Sequence, residues 1–167
     1  LSKENPSIRG SDRGSLTGAA DPREGMVRYY CPGCWKDSQE DFRKCPSCGL
    51  DIHRFWDSKD YAEKLIVSLR HPEPTTPIRA ARLLGRLKDP RAVPALIKLI
   101  RDRKDLFVAG AAIGALGEIG TPEAVAFLES LLQSSDGRIR DLARKALGPL
   151  KTRRAPDSSH PHGKDST

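Results

Sequence analysis

The sequence predicts an all-α fold: a short α-solenoid of about three helix pairs, preceded by a small four-cysteine unit and flanked by disordered tails. Three observations predict it. Leu84 to Ile100 (Leu-Gly-Arg-Leu-Lys-Asp-Pro-Arg-Ala-Val-Pro-Ala-Leu-Ile-Lys-Leu-Ile) returns as Leu116 to Leu132 (Leu-Gly-Glu-Ile-Gly-Thr-Pro-Glu-Ala-Val-Ala-Phe-Leu-Glu-Ser-Leu-Leu), with Gly85 mapping to Gly117 at a period of 32. A period of about 20–50 residues marks stacked units that bury their apolar faces against one another. Apolar residues are only 37% of the chain, yet they concentrate between about 60 and 150. All four cysteines fall in two C-x-x-C pairs upstream of that region.

Residues 1–26 are rich in Gly, Ser, Asp and Arg and cannot bury enough surface to offset their conformational entropy, so they are expected to be a disordered leader. Residues 151–167 read the same way, with His160 and His162 placed in that tail. The cysteine unit occupies 27–56 and the helical array 57–150. Leu1 in place of an initiator Met leaves open a trimmed chain, a fragment or an unusual start codon.

Within the array the spacing predicts helices at about 59–70, 78–87, 91–102, 106–119, 122–133 and 137–149. Pro72, Pro74 and Pro77 break the chain after the first. Asp89-Pro90 restarts it, Asp as an N-cap and Pro where a missing N–H is harmless, and Thr121-Pro122 repeats that device. Gly85, Gly117 and Gly148 recur late in alternate helices. A helix glycine costs about 1 kcal/mol relative to Ala, so its recurrence predicts close helix approach, and Gly110 and Gly114 point the same way. The repeating stripe predicts burial of Leu84, Leu96, Ile97, Ile100, Leu116, Val125, Leu128 and Leu131.

The cysteines form C-x₂-C-x₁₀-C-x₂-C: Cys31, Cys34, Cys45 and Cys48. Four thiolates on two tight turns suit a tetrahedral d¹⁰ ion, and a unit this small folds on metal rather than on its own core. Structural zinc is the expected cofactor, and an iron electron-transfer site the less favoured one. Disulfides lose because nothing marks an oxidising compartment. A redox pair loses because the motif is duplicated with no βαβ pattern around it. With four Cys the shell is closed, and His53 is read as a surface or packing residue rather than a substitute ligand. Tyr29, Tyr30, Trp35, Phe42, Phe55 and Trp56 gather around the unit, with Phe55 and Trp56 expected to dock it on the first helix.

Residues 80–96 (Ala-Ala-Arg-Leu-Leu-Gly-Arg-Leu-Lys-Asp-Pro-Arg-Ala-Val-Pro-Ala-Leu) resemble the HEAT repeat, in the variant found in phycobilisome lyases and many bacterial and archaeal proteins. The resemblance covers about 90 residues and implies antiparallel helix pairs stacked into a curved array. Most members of that family are scaffolds or binding modules. A few are enzymes or chromophore-attaching factors whose active residues lie outside the repeat, so none is carried over. The cysteine segment resembles a zinc ribbon, and Cys45-Pro46-Ser47-Cys48-Gly49 is similar to the knuckle of rubredoxin-like domains.

The net charge of +7 is uneven, at +6 over 57–104 and −2 over 105–150. Such a field can attract nucleic acid or an acidic protein. Arg79, Arg82 and Arg86 line one helix face and would be the phosphate contacts of a nucleic-acid-binding reading, helped by Arg101, Arg103, Lys104, Arg153 and Arg154. Glu118, Glu123, Glu129 and Asp136 interrupt any basic stripe, so weak nucleic-acid binding that fades at physiological salt is expected. No nucleophile–base or paired-carboxylate motif supports an enzyme. The leading expectation is a protein-interaction scaffold, with Arg91, Lys98, Arg101, Glu123 and Glu129 sharing the concave face. No window approaches the roughly 18 apolar residues of a membrane span, and residues 1–20 lack a secretory core, so a cytoplasmic protein is expected.

Overall fold

The computed structural model describes residues 28–102 and 105–154, without the side chains of 151–154. The tails, Arg103, Lys104, His160 and His162 therefore lie outside the described residues. A two-stranded hairpin, β1 (Tyr29–Tyr30) with β2 (Asp37–Ser38), opens the cysteine unit, and the short helix α1 (Ile52–Asp57) closes it. The array follows as α2 (Tyr61–Ser68), α3 (Thr75–Leu87), α4 (Val93–Asp102), α5 (Leu106–Ile119), α6 (Pro122–Leu131) and α7 (Gly137–Arg154).

The six array helices fall where the spacing places them, as three antiparallel pairs, and three details differ. Helix α3 begins at Thr75 and takes Pro77 into its first turn, where an N–H has no partner to lose. A 3₁₀ turn, Pro90–Ala92, precedes α4, with the Asp89 carboxylate accepting from the Arg91 N–H at 2.9 Å. Helix α7 runs through Pro149 to Arg154, five residues past its expected end.

The helices form two layers. In one, α3 packs against α5 and α5 against α7; in the other, α4 meets α6 only lightly. Small residues make the close layer. A Cβ on Gly85 would lie 2.9 Å from the Ala115 Cα, and one on Gly117 would lie 2.9 Å from the Ala146 carbonyl oxygen. A stack that is tight on one side and open on the other bends around the tight side. The α3–α5–α7 layer is therefore the inner one.

The core lies between the layers. Leu84, Leu96, Leu116, Val125 and Leu128 are buried as the stripe predicts, joined by Val93, Leu99, Val108, Ile113 and Leu147. Ile97, Ile100 and Leu131 are only partly buried against that core. The array ends on a polar face. Counting 31 residues on from α5, buried Ala109 and Ile113 become Arg140 and Arg144. Arg140 donates to the Ser134 and Ser135 carbonyls, and Arg144 pairs with Asp141 at 2.6 Å.

The glycines divide into two kinds. Gly117 sits against backbone, but a Cβ on Gly114, mid-helix in α5, would meet nothing within 4 Å. Gly114 is thus not a packing glycine, contrary to the sequence expectation. Gly114→Ala is expected to stabilise the fold by about 0.5–1 kcal/mol. Gly117→Ala is expected to destabilise it by about 1–3 kcal/mol through overpacking. Urea unfolding of both variants checks this, and shifts of the same sign would contradict the packing described.

Candidate metal centre and interaction face

Two matched loops build the sulfur cluster. In the first, the Cys31 N–H donates to the Lys36 carbonyl (3.1 Å) and the Trp35 N–H to the Cys31 carbonyl (2.8 Å). In the second, Cys45 N–H donates to Leu50 (2.9 Å) and Gly49 N–H to Cys45 (2.8 Å). Each loop turns through a left-handed residue after its second cysteine, Trp35 at φ 59° and Gly49 at φ 74°. Glycine takes that conformation freely, whereas a tryptophan there carries strain. The Gly33 N–H points at the Cys31 sulfur, 3.4 Å away.

The loops face each other. The Cys31 and Cys48 sulfurs are 3.6 Å apart, those of Cys34 and Cys45 are 3.7 Å apart, and all four lie within 4.8 Å of one another. A tetrahedral ion with metal–sulfur bonds of about 2.3 Å needs sulfur–sulfur edges of about 3.8 Å. The cluster fits such an ion, and no histidine belongs to it. His53 is exposed on α1. Without metal the sulfurs differ in acidity. Burial pushes the Cys31 thiol up to about 12. Burial works the same way on Cys45, but the Cys48 and Ser47 backbone N–H groups and the neighbouring sulfurs outweigh it and bring Cys45 down to about 6. A divalent cation would relieve the crowding by replacing protons among all four.

The unit docks on the array through rings other than those expected. His71, just past α2, meets the Tyr30 ring edge-on at 4.6 Å and the Trp35 ring at 5.4 Å. Trp35 also borders Ile66, Leu69 and Leu99 of the outer layer, with its indole N–H buried without a hydrogen-bond partner. Phe55 and Trp56 instead pack on each other at 5.1 Å, with the Lys59 ammonium over the Phe55 ring. The residue that docks the unit is therefore adjacent in sequence to Cys34 of the sulfur cluster.

The residues expected on the concave face lie elsewhere. Arg91, Lys98 and Arg101 belong to α4 and its preceding turn, Glu123 and Glu129 to α6, so all five sit on the outer layer. Three of them already have partners. Arg91 bridges Asp60 and Asp89, each at 2.7 Å, Lys98 pairs with Asp102 at 2.8 Å, and the Arg101 guanidinium stands 5.4 Å over the Phe127 ring.

The Arg91 bridge is a staple between helix starts. Asp60 caps α2, accepting from the Glu63 N–H, and Asp89 caps the turn before α4. Arg91 holds both carboxyls below the usual carboxylate range, by hydrogen bonding first. A lowered folded-state pKa adds stability that is complete above the unfolded value of about 4 and is lost as pH falls through the folded values. Thermal melting of the full chain is expected to fall more steeply below about pH 4 than that of Arg91→Gln. Parallel profiles would contradict the staple.

The inner layer carries a feature the sequence reading missed. Phe107 is 79% exposed at the start of α5. It opens a trough of about 560 Å³ floored by Gly110, Ala111 and Gly114. Arg82 of α3 forms one wall, and Arg138, Leu142 and Lys145 of α7 the other, with Glu118 and Asp141 among them. The signal was available: 32 residues on from Arg79, Arg82 and Arg86 stand Ala111, Gly114 and Glu118, a row of arginines giving way to two small residues and an acid.

A family model of HEAT repeats matches residues 62–148, just over half the sequence. The chain belongs to the HEAT-repeat family. Its HEAT array is similar to the bilin biosynthesis protein PecE of Nostoc sp., 43% identical over 84 residues, or 49% of this chain and 33% of PecE. The Mastigocladus laminosus PecE matches at the same identity over 31% of its length. Deoxyhypusine hydroxylase of Candida albicans is 38% identical over 68 residues, 40% of this chain and 21% of the hydroxylase. The chain thus spans a third or less of the curated relatives it matches. Their names include a bilin biosynthesis protein and a hydroxylase. Among the described residues, no helix is long and apolar enough to cross a membrane.

Proposed function

We propose that this chain is a non-catalytic adaptor that binds a protein partner on the inner face of its HEAT array, with a structural zinc in a ribbon capping the N-terminal end. The trough beside exposed Phe107 carries the reading: apolar floor and mixed charged walls suit a protein surface better than a uniform phosphate backbone. Four sulfurs at tetrahedral spacing with no further donor group suit zinc, and they suit a single iron equally, so metal analysis decides between the two. A closed shell supplies folding energy and leaves no position for substrate. Among the described residues, the four cysteines are the sole group of three or more Cys, His, Asp or Glu close enough to share a metal, which argues for binding rather than metal-dependent chemistry. Thiols kept reduced to hold a metal suit a reducing, cytoplasmic compartment.

The test places a photo-activated cross-linking amino acid at position 107 and, separately, at position 129 in the source cells. A discrete light-dependent protein adduct from 107, absent from 129, is expected. Equal adducts from both positions, or nucleic acid alone from 107, would overturn the adaptor reading.

The nucleic-acid reading has one observation in its favour. Arg79, Arg82 and Arg86 are exposed together on α3 and have no ion-pair partner among the described residues. Glu118 in the same trough opposes a phosphate backbone, so binding to a 20-nucleotide single strand is expected only at low salt. Submicromolar affinity persisting at about 150 mM salt would make nucleic acid the partner.

A further inference from the structure

The second repeat is hollowed relative to its neighbours. Arg82 on α3 corresponds to Gly114 on α5 at a spacing of 32, and Gly114 to Lys145 on α7 at a spacing of 31, the spacing from Gly117 to Gly148. A cation therefore stands on each wall with an empty position between them. Gly114 fills no packing role, since a Cβ there would meet nothing within 4 Å. Alanine at that position would fit and favour the helix. What glycine keeps open is the trough.

The charges facing the trough are unequal. On the α7 wall, Arg138 pairs with Asp136 at 3.2 Å and Asp141 with Arg144 at 2.6 Å, so these largely cancel. Arg82 and Lys145 have no ion pair among the described residues, and Arg79 and Arg86 extend the α3 wall without partners. Among the described residues, Glu118 is the single facing carboxylate without a partner in an ion pair. The free charge is thus cationic on both walls, while the floor is apolar and rimmed by the exposed Phe107 ring.

We infer that the trough is a docking site for an acidic peptide segment of a protein partner, with one large apolar side chain seated over Gly114 against Phe107 and flanking carboxylates meeting Arg82, Arg86 and Lys145. The inference rests on the adaptor reading and adds the chemistry of the partner. A bare phosphate polymer would leave the apolar floor unused and meet Glu118. An apolar peptide without acid would leave the arginines unused. An apolar anchor in a pocket ringed by charged contacts is the arrangement that concentrates binding energy in protein interfaces.

The probe is a fluorescein-labelled synthetic peptide with a central Leu-Phe pair between two runs of three glutamates, titrated with the full metal-loaded chain at about 150 mM salt, near physiological ionic strength. Two control peptides replace Leu-Phe by Ser-Ser, or the glutamates by lysines. Binding at least about tenfold tighter than either control is expected. Arg82→Glu with Arg86→Glu, and separately Gly114→Leu, should each weaken it by about tenfold or more. Lys98→Glu on the outer layer should leave it within about twofold. Circular dichroism checks that each variant stays folded, and the open space at Gly114 makes its leucine variant the safest of them. Equal binding of all three peptides, equal loss from the outer-layer variant, or displacement by a single-stranded oligonucleotide at equimolar concentration would overturn the inference. If the peptide fails while cross-linking at 107 still returns a protein, the partner's chemistry is wrong and the adaptor reading stands.

Discussion

Cys45→Ser is expected to unfold the ribbon, residues 28–56, and leave the HEAT helices folded. Cys45 is buried, and its sulfur lies 3.7 Å from that of Cys34 across the two loops. The unit holds a hairpin of two-residue strands and one six-residue helix with no buried residue, so under the proposed reading a bound metal would supply most of its order. Structural zinc in small domains supplies about 10–16 kcal/mol of apparent binding energy, and losing one of four thiolates removes much of it. The expected readout is loss of bound metal and of amide-exchange protection across 28–56, with helical circular dichroism largely kept. Because Trp35 follows Cys34 and rests on His71, a blue-shifted Trp35 fluorescence should move toward that of a solvated indole. Full protection in the metal-free variant would show that the ribbon folds on packing alone.

Leu116→Ala is expected to cost about 2–5 kcal/mol, the range for truncating a fully buried leucine. Leu116 is 0% exposed on α5, the helix that packs against α3, α4, α6 and α7. A cavity there lies in the helix that joins both layers and all three pairs. Leu87→Ala, at a leucine 48% exposed on α3, is expected to change stability by about 0.5 kcal/mol or less. Denaturant unfolding of the two variants beside the parent measures the difference. Equal small losses would mean that α5 is not the centre of the array.

The array was readable because its helices repeat the same local devices. Asp89 and Thr121 sit 32 residues apart and cap the two starts, and Lys88 and Gly120 both take the left-handed conformation that ends the preceding helix. Sulfur spacing likewise marked the four cysteines that the fold gathers, because two residues between cysteines fit one tight turn. Other features depended on distance through space. The contact of Tyr30 and Trp35 with His71 joins positions some forty residues apart, and no local pattern marks it. Helix α1 has only six residues, too few for an apolar period to show. The sequence reading put Arg91, Lys98, Arg101, Glu123 and Glu129 on the concave face although they belong to α4 with its preceding turn and to α6, the first helices of their pairs, because charge was followed instead of size. Gly85 and Gly117 against Ala115 and Ala146 set the curvature, and those small residues all lie on α3, α5 and α7.

The most direct test of a closed, structural centre capping a HEAT array is metal analysis of the freshly purified full chain with X-ray absorption at the metal edge. The account predicts one zinc per chain, bound by four sulfurs at about 2.3 Å with no nitrogen or oxygen neighbour. Iron, a light-atom ligand completing the coordination, or metal-free protein with oxidised cysteines would contradict it.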